Sequence, residues 1–172
     1  MNTTTVTIRP FDASLDTEKL SHIWLSASII AHSFIGEERL IEQQGLIESK
    51  YLPDAETWIA CREGRPVGFI SLIDNFIGGL FIDPAEQGRG TGRQLIEFAL
   101  KQRPELALEV YLANHGAMAF YQALGFTELS RRSHDDEGAP FPNARLAIIA
   151  YAQASLVRGD DLIQAPEEPG HE

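Results

Sequence analysis

An apolar stretch, GLFIDP (residues 79–84), leads into QGRGTG (87–92) and then into RQLIEFALKQR (93–103), whose apolar residues fall at helical spacing. No other part of the chain constrains its fold as strongly. Alternate glycines let the backbone turn sharply out of a strand and into a helix. A helix that leaves a strand in this way brings the chain back parallel to it. Pro104 stops the helix, and LALEVYL (106–112) supplies the returning strand. At least one parallel pair is therefore expected.

The flanking sequence predicts hairpins around that unit. TTTVTI (3–8) alternates and reads as a first strand. Residues 15–34 carry Leu20, Ile23, Trp24, Ala27 and Ala31 at helical period, Gly36 breaks the pattern, and residues 37–49 restart as a shorter helix. Strands are expected over 57–62, 67–74 and 76–82, with turns at REGRP and DN. After the helix of 90–103 and the strand of 106–112, NHGAMAFYQALG reads as a helix capped by Asn114 and closed by Gly125. Two last strands, 126–132 and 144–151, flank the polar SHDDEGAPFPN. The expected fold is α/β (α+β): a mixed, mostly antiparallel central sheet of about seven strands flanked by about four helices. Residues 1–157 are expected to form one domain, and residues 158–172 an acidic, loose tail.

The formal net charge of -11 argues against a nucleic-acid partner, which needs a basic footprint. Far-field repulsion is screened beyond about 8 Å, so a local basic patch can still hold a small anion. No apolar run nears the roughly 20 residues of a membrane span. The N-terminus shows no secretory pattern, and Cys61 is the only cysteine, so a cytoplasmic setting is expected. Cys61 reads as a packing residue, since TWIACR offers nothing to activate a thiol. His22, His115, His134 and His171 have no metal-ligand spacing, no metal is expected, and HDDE (134–137) reads as a solvated turn.

For the glycine loop, a Walker loop is excluded because no Gly-Lys-Ser/Thr follows. A dinucleotide fingerprint fits Gly88 and Gly90, but its third position is Arg93 and Glu109 lies inside a strand-like run. A plain turn needs fewer glycines and no arginines. Read as Q-x-x-G-x-G, Gln87–Gly92 resembles the pyrophosphate loop of the GNAT superfamily of N-acetyltransferases. Twenty-four residues past Gly90, Asn114, Ala117, Phe120, Tyr121, Gly125 and Phe126 match that family's second motif. The resemblance covers residues 57–151 and is nearest to short bacterial single-domain members that acetylate protein amines.

The resemblance implies a V-shaped splay between the fourth and fifth strands, with acetyl-CoA (coenzyme A) as cofactor. Gln87, Gly88, Arg89, Gly90, Thr91, Gly92 and Arg93 would then face the pyrophosphate. Glycine backbone and a helix N-terminus suit that anion physically. Leu80, Phe81 and Ile82 would pair with the acetyl and pantetheine arm. Asn114 is either a pantetheine contact or a plain N-cap. Tyr121 would protonate the departing thiolate, against the alternative of core packing along the stripe of Ala117, Phe120 and Leu124. The base is Glu109, His32 or solvent. His32 and Phe34 lie on the expected acceptor side, where Trp24 and Phe141 read equally as core or pocket. The implied reaction is direct acetyl transfer to a primary amine of a protein or small molecule, by a monomer or homodimer. A non-catalytic acyl-CoA-binding module and an aminoacyl-tRNA-acetylating toxin are the alternatives, the second disfavoured by the acidic charge.

Overall fold

The structure, a computed structural model, describes residues 5–150. The tail expected over 158–172 and the end of the last expected strand, at Tyr151, lie outside the described residues. The chain divides into two compact units, one up to Ala99 and one from Leu100 onward.

In the first unit the strands β1 (Thr7–Pro10), β2 (Glu56–Arg62), β3 (Arg65–Ile73) and β4 (Phe76–Ile82) lie in that order and pair antiparallel. Two helices enter between β1 and β2: α1 (Ala13–Ala31) and α2 (Glu37–Leu46), separated by a 3-10 turn at Ser33–Ile35. A π turn, Ile47–Tyr51, and the short α3, Leu52–Asp54, prolong the second helix beyond the expected 49. A second 3-10 turn, Pro84–Glu86, precedes α4 (Thr91–Gln102).

The first strand begins later than the alternation of 3–8 suggests and runs on to Pro10, which pairs with Trp58. A proline is tolerated there because β1 ends the strand order of this unit. The start of α1 is fixed by Asp12, whose Oδ1 accepts from the Ser14 N–H at 2.9 Å. Arg9 grips Asp16 through both guanidinium nitrogens, at 2.8 and 2.9 Å, tying β1 to the first turn of α1. The buried stripe of α1 holds Leu20, Ile23, Trp24 and Ala27 as expected, but Ala31 is exposed and Ser28 takes the buried position instead. Leu20, Ile23, Trp24, Leu40 and Leu52 pack with Ile59, Cys61 and Phe69 into one core. Side chains alternate along a strand, so Trp58 faces the other way, where its ring meets Phe98 of α4 at 4.8 Å. Helices therefore cover both faces of this sheet, which is why β3 is buried on both sides through its middle.

In the second unit β5 (Glu105–Tyr111), β7 (Asn143–Ile149) and β6 (Thr127–Arg132) lie in that order, again antiparallel, with α5 (His115–Leu124) between β5 and β6. Leu106, Leu108, Leu124, Phe126, Leu146 and Ile148 are buried. Among the described residues, seven strands, mostly antiparallel pairing and four principal helices give the mixed α/β class that the sequence suggests.

The turn between β2 and β3 has Glu63 at φ 55° and Gly64 at φ 80°, flanked by the pair Arg62 and Arg65. Both central residues have positive φ, the type I′ hairpin geometry that favours Asn-Gly. Glutamate pays a steric cost of about 1 kcal/mol there. Glu63→Asn is therefore expected to stabilise the chain by about 0.5–1 kcal/mol. Urea unfolding reads this as a raised midpoint; an unchanged or lowered midpoint contradicts the strain.

Candidate functional site

The glycine loop is built between two anchors. Asp83 starts the turn after β4, its Oδ1 accepting from the Ala85 N–H at 3.0 Å. At the far end the Gln94 N–H reaches the Gly90 carbonyl at 3.0 Å, the first bond of α4. The N–H groups of Thr91, Gly92 and Arg93 precede that bond, so helix geometry leaves them no intrahelical acceptor. Between the anchors Gly88 and Gly90 sit at φ 84° and 82°. A Cβ placed on Gly88 would meet nothing within 4 Å, and one on Gly90 only the Gln94 side chain at 3.9 Å. The glycines thus serve backbone conformation and leave open space above the loop. Open space, oriented N–H groups and a helix N-terminus suit a pyrophosphate.

The charges around the loop were not legible as an assembly. Arg62, at the end of β2, donates from Nε to Glu86 Oε1 at 3.0 Å and from Nη2 to the Thr91 hydroxyl at 3.2 Å. Arg89 stands 3.6 Å from the same carboxylate, and Arg65 3.8 Å from its other oxygen. Three guanidiniums thus surround one carboxylate, leaving a locally positive centre in an acidic chain. Arg93 pairs instead with Glu97 at 3.8 Å. The Thr91 side chain is committed to Arg62, which leaves its backbone N–H as the group facing the loop. The only sequence signal for the assembly was a charged residue closing the apolar run TWIAC and a glutamate just before the glycines.

Leu80, Phe81 and Ile82 are half-buried on β4, paired with Ile70, Phe69 and Gly68 of β3. Gln87 joins this strand to the loop, its Nε2 donating to the Ile82 carbonyl at 3.4 Å. Phe81 lies over Gly79, where a Cβ would come within 2.7 Å of its ring, so no larger residue fits at 79 with the ring in place. The same ring meets Trp24 edge-on at 6.2 Å. Trp24 is buried and belongs to the core. His32 closes α1, its N–H bonded to the Ser28 carbonyl at 2.8 Å, and its ring meets Phe34 edge-on at 6.0 Å. Burial pushes the His32 imidazole down to about 4, so it is neutral near pH 7.

In the second unit Asn114 caps α5, its Oδ1 accepting from the Ala117 N–H at 3.1 Å. Gly125 closes the helix in the left-handed conformation, at φ 109°. Between them Tyr121 is buried beside Phe120 and Phe126, at ring distances of 5.2 and 5.3 Å. Burial raises the Tyr121 hydroxyl above its ordinary value, so it holds its proton at neutral pH. Glu109 on β5 stands opposite Arg145 on β7. Its Oε1 accepts from Arg132 at 2.9 Å, and its Oε2 lies 3.5 Å from Arg145. The glutamate in an apolar strand is thus stabilised by two arginines.

Residues 133–143 are more ordered than a solvated turn. Asp135 accepts from the N–H groups of Glu137 and Ala139 at 3.0 and 2.9 Å, and from the Tyr111 hydroxyl at 3.0 Å. Asn143 donates to the carbonyls of His134 and Phe141 at 3.0 and 3.2 Å. Phe141 meets the Tyr111 ring edge-on at 6.3 Å. The Asp-Asp-Glu-Gly spacing, with aspartate opening the turn and glycine ending it, was the available signal.

The acetyltransferase (GNAT) domain family matches residues 53–128. The peptidyl-lysine N-acetyltransferase YjaB of Escherichia coli (strain K12) is 39% identical over 133 residues, 77% of this chain and 90% of that protein. The solution structure of the apo form of YjaB from Escherichia coli aligns at a TM-score of 0.76 and 38% identity, covering 83% of this chain and 97% of that one. The PaiA N-acetyltransferase of Thermoplasma acidophilum, solved in complex with coenzyme A, shares the fold at a TM-score of 0.65 and 20% identity, covering 82% and 98%.

The His32 environment has a consequence for pH. An unfolded imidazole binds a proton near pH 6.5, whereas the folded one resists until about 4. The unfolded state therefore binds more protons within that window, and stability falls as pH drops from about 6.5 to 4. Asp16, held below the ordinary carboxyl value by Arg9, acts in a lower window, below about 3.8. His32→Gln is expected to flatten the wild-type decline between pH 6.5 and 4 in urea unfolding at stepped pH. Parallel curves contradict it.

Proposed function

The chain belongs to the GNAT family of acetyltransferases, and from that premise we propose that it moves the acetyl group of acetyl-CoA to lysine side chains of proteins. Acetyl transfer to an amine is the family's reaction and the activity of this enzyme. Lysine as acceptor rests on the likeness to YjaB, with most of both chains aligned. The observation that carries the donor half is the loop, with two positive-φ glycines, open space above them and a helix N-terminus beyond. Bound acetyl-CoA supplies a thioester that an amine can attack directly, with no acyl group passing through the protein.

Each residue then has a defined task. The N–H groups of Gly88–Arg93 and the guanidinium of Arg89 hold the pyrophosphate. Leu80, Phe81 and Ile82 offer backbone groups to the acyl and pantetheine arm. Asn114 positions Tyr121 by capping its helix, besides any contact of its own with pantetheine. Tyr121, kept protonated by burial, donates a hydrogen bond to the departing sulfur. Glu109 receives the amine proton through water. The less tightly held Oε2 is the oxygen best suited to this, at 3.5 Å from Arg145 against 2.9 Å between Oε1 and Arg132. His32 is a weak rival, because a neutral imidazole with its value near 4 retains little appetite for a proton at pH 7. His32 and Phe34 instead present their paired rings to the acceptor. Cys61 is buried in the core and takes no part.

Residues 1–157 act as one catalytic domain, in the cytoplasm, as a monomer or homodimer. A net charge of -11 suits a basic protein acceptor and disfavours nucleic acid. Among the described residues no helix is long and apolar enough to cross a membrane.

Two substitutions test these roles. Tyr121→Phe keeps the ring and its packing and removes only the donor. It is expected to lower kcat by roughly 10²-fold, the usual contribution of a positioned donor, with coenzyme A affinity unchanged. Glu109→Gln is expected to regain activity as pH rises and free amine accumulates, whereas Tyr121→Phe gains nothing beyond the wild-type profile. Initial rates on a lysine peptide from pH 6 to 10 decide it. Near-normal turnover in Tyr121→Phe removes the tyrosine from the mechanism. A Glu109→Gln profile parallel to wild type returns the amine proton to solvent.

A further inference from the structure

A buried ionic cluster sits beneath the glycine loop, and the chemistry above makes no direct use of it. Arg62 and Glu86 are 4% and 8% exposed, and Thr91, which joins them, is 2% exposed. Arg62 reaches Glu86 at 3.0 Å through Nε and Thr91 at 3.2 Å through Nη2, while Nη1 donates to the Thr5 carbonyl at 3.4 Å. Glu86 and Thr91 are the residues on either side of Gln87–Gly90. One guanidinium therefore ties both ends of a four-residue loop to the end of β2.

The geometry matters because of what lies between the ties. Gly88 and Gly90 give the loop the conformation that an anion cradle needs, and the same glycines give it freedom to leave that conformation. Ordering a free loop on binding costs affinity, and holding it in the bound shape beforehand recovers that affinity. A guanidinium suits the task because its donors form a rigid planar fork, which sets the separation of its two acceptors. Stability alone does not account for the pair, since buried ion pairs are often no better than apolar side chains of similar volume. Glu86 has a second effect: its carboxylate also pairs with Arg89 at 3.6 Å.

Resting on the reading of the loop as the pyrophosphate cradle, we propose that the Arg62–Glu86–Thr91 linkage presets the glycine loop for acetyl-CoA. Arg62 and Glu86 are then positioning residues for cofactor affinity. They act through the loop backbone and Arg89, and have no part in acetyl transfer itself.

The test is the double variant Arg62→Met with Glu86→Leu in the full chain, which replaces the pair with apolar groups and leaves no buried charge unpaired. The urea midpoint is expected to stay close to wild type. KM for acetyl-CoA is expected to rise about tenfold or more with kcat at saturation unchanged, the effect of losing charge-assisted ties from the ground state. With S-acetylpantetheine, which lacks the pyrophosphate, kcat/KM is expected to match wild type. A merely structural role would lower the rate with both donors alike, so that result overturns the proposal, as does an unchanged KM for acetyl-CoA. Should the double variant fail to fold, Thr91→Val decides. It removes one hydroxyl from the linkage, and a raised KM for acetyl-CoA alone supports the proposal while an unchanged one overturns it. Calorimetry of coenzyme A with the wild-type protein separates the two levels. No binding overturns the reading of the loop itself, whereas normal binding in wild type and variant alike overturns only the linkage.

Discussion

At the end of β4 the chain must stop being a strand and, nine residues later, start being a helix, with its backbone N–H groups turned outward. Two residues at φ near 80° accomplish this, and only glycine adopts that conformation without steric cost. The rest of the first unit is arranged to make the turn hold. β3 is buried on both faces and fixes β4 beside it. The Asp83 side chain starts the 3-10 turn, Arg62 fastens Glu86 and Thr91, and Gln94 closes the first helical bond onto Gly90. A conformation that is unfavourable for most residues is thus held from both ends, and its open side is left clear.

The electrostatics follow from the same place. A chain of net charge -11 would repel a polyanionic cofactor if charge acted as an average. It does not, because salt screens distant groups and leaves those within a few ångströms. Near the loop one carboxylate faces Arg62, Arg65 and Arg89, and the helix N-terminus adds about half a positive charge. A hydrogen bond from Arg89 or from a loop N–H to a phosphate would contribute roughly 1.5–3 kcal/mol net, so a few of them would outweigh the screened background.

The parts legible in the sequence were those written locally. Phe76–Ile82 is recovered to the residue because its turns and alternation lie within it. The α5 helix is recovered with both caps, since Asn114 and Gly125 act on neighbours three or four residues away. The prolonged second helix was missed because a π turn at Ile47–Tyr51 carries no distinctive period. β1 was displaced because the alternation of residues 3–8 says nothing about which of them meets β2. Residues that depend on partners far along the chain were not legible. Arg62 and Glu86 are 24 positions apart, and each alone looks like an ordinary surface charge. Glu109 is legible as a charge inside a strand-like run, but its partners Arg132 and Arg145 are set by the register of β6 and β7.

The central claim is that the loop at Gly88–Gly90 holds the cofactor's pyrophosphate, and calorimetric titration of coenzyme A into Gly90→Asp tests it most directly. Space exists for the new side chain, since its Cβ would meet only Gln94 at 3.9 Å, and the strain of an aspartate at φ 82° is about 1 kcal/mol. The variant is therefore expected to fold, with a carboxylate in the space proposed for the pyrophosphate. The account predicts that coenzyme A affinity falls by about 100-fold or more, a loss at or above the upper end of a single charge-assisted contact. A folded Gly90→Asp protein that binds coenzyme A as tightly as wild type contradicts it.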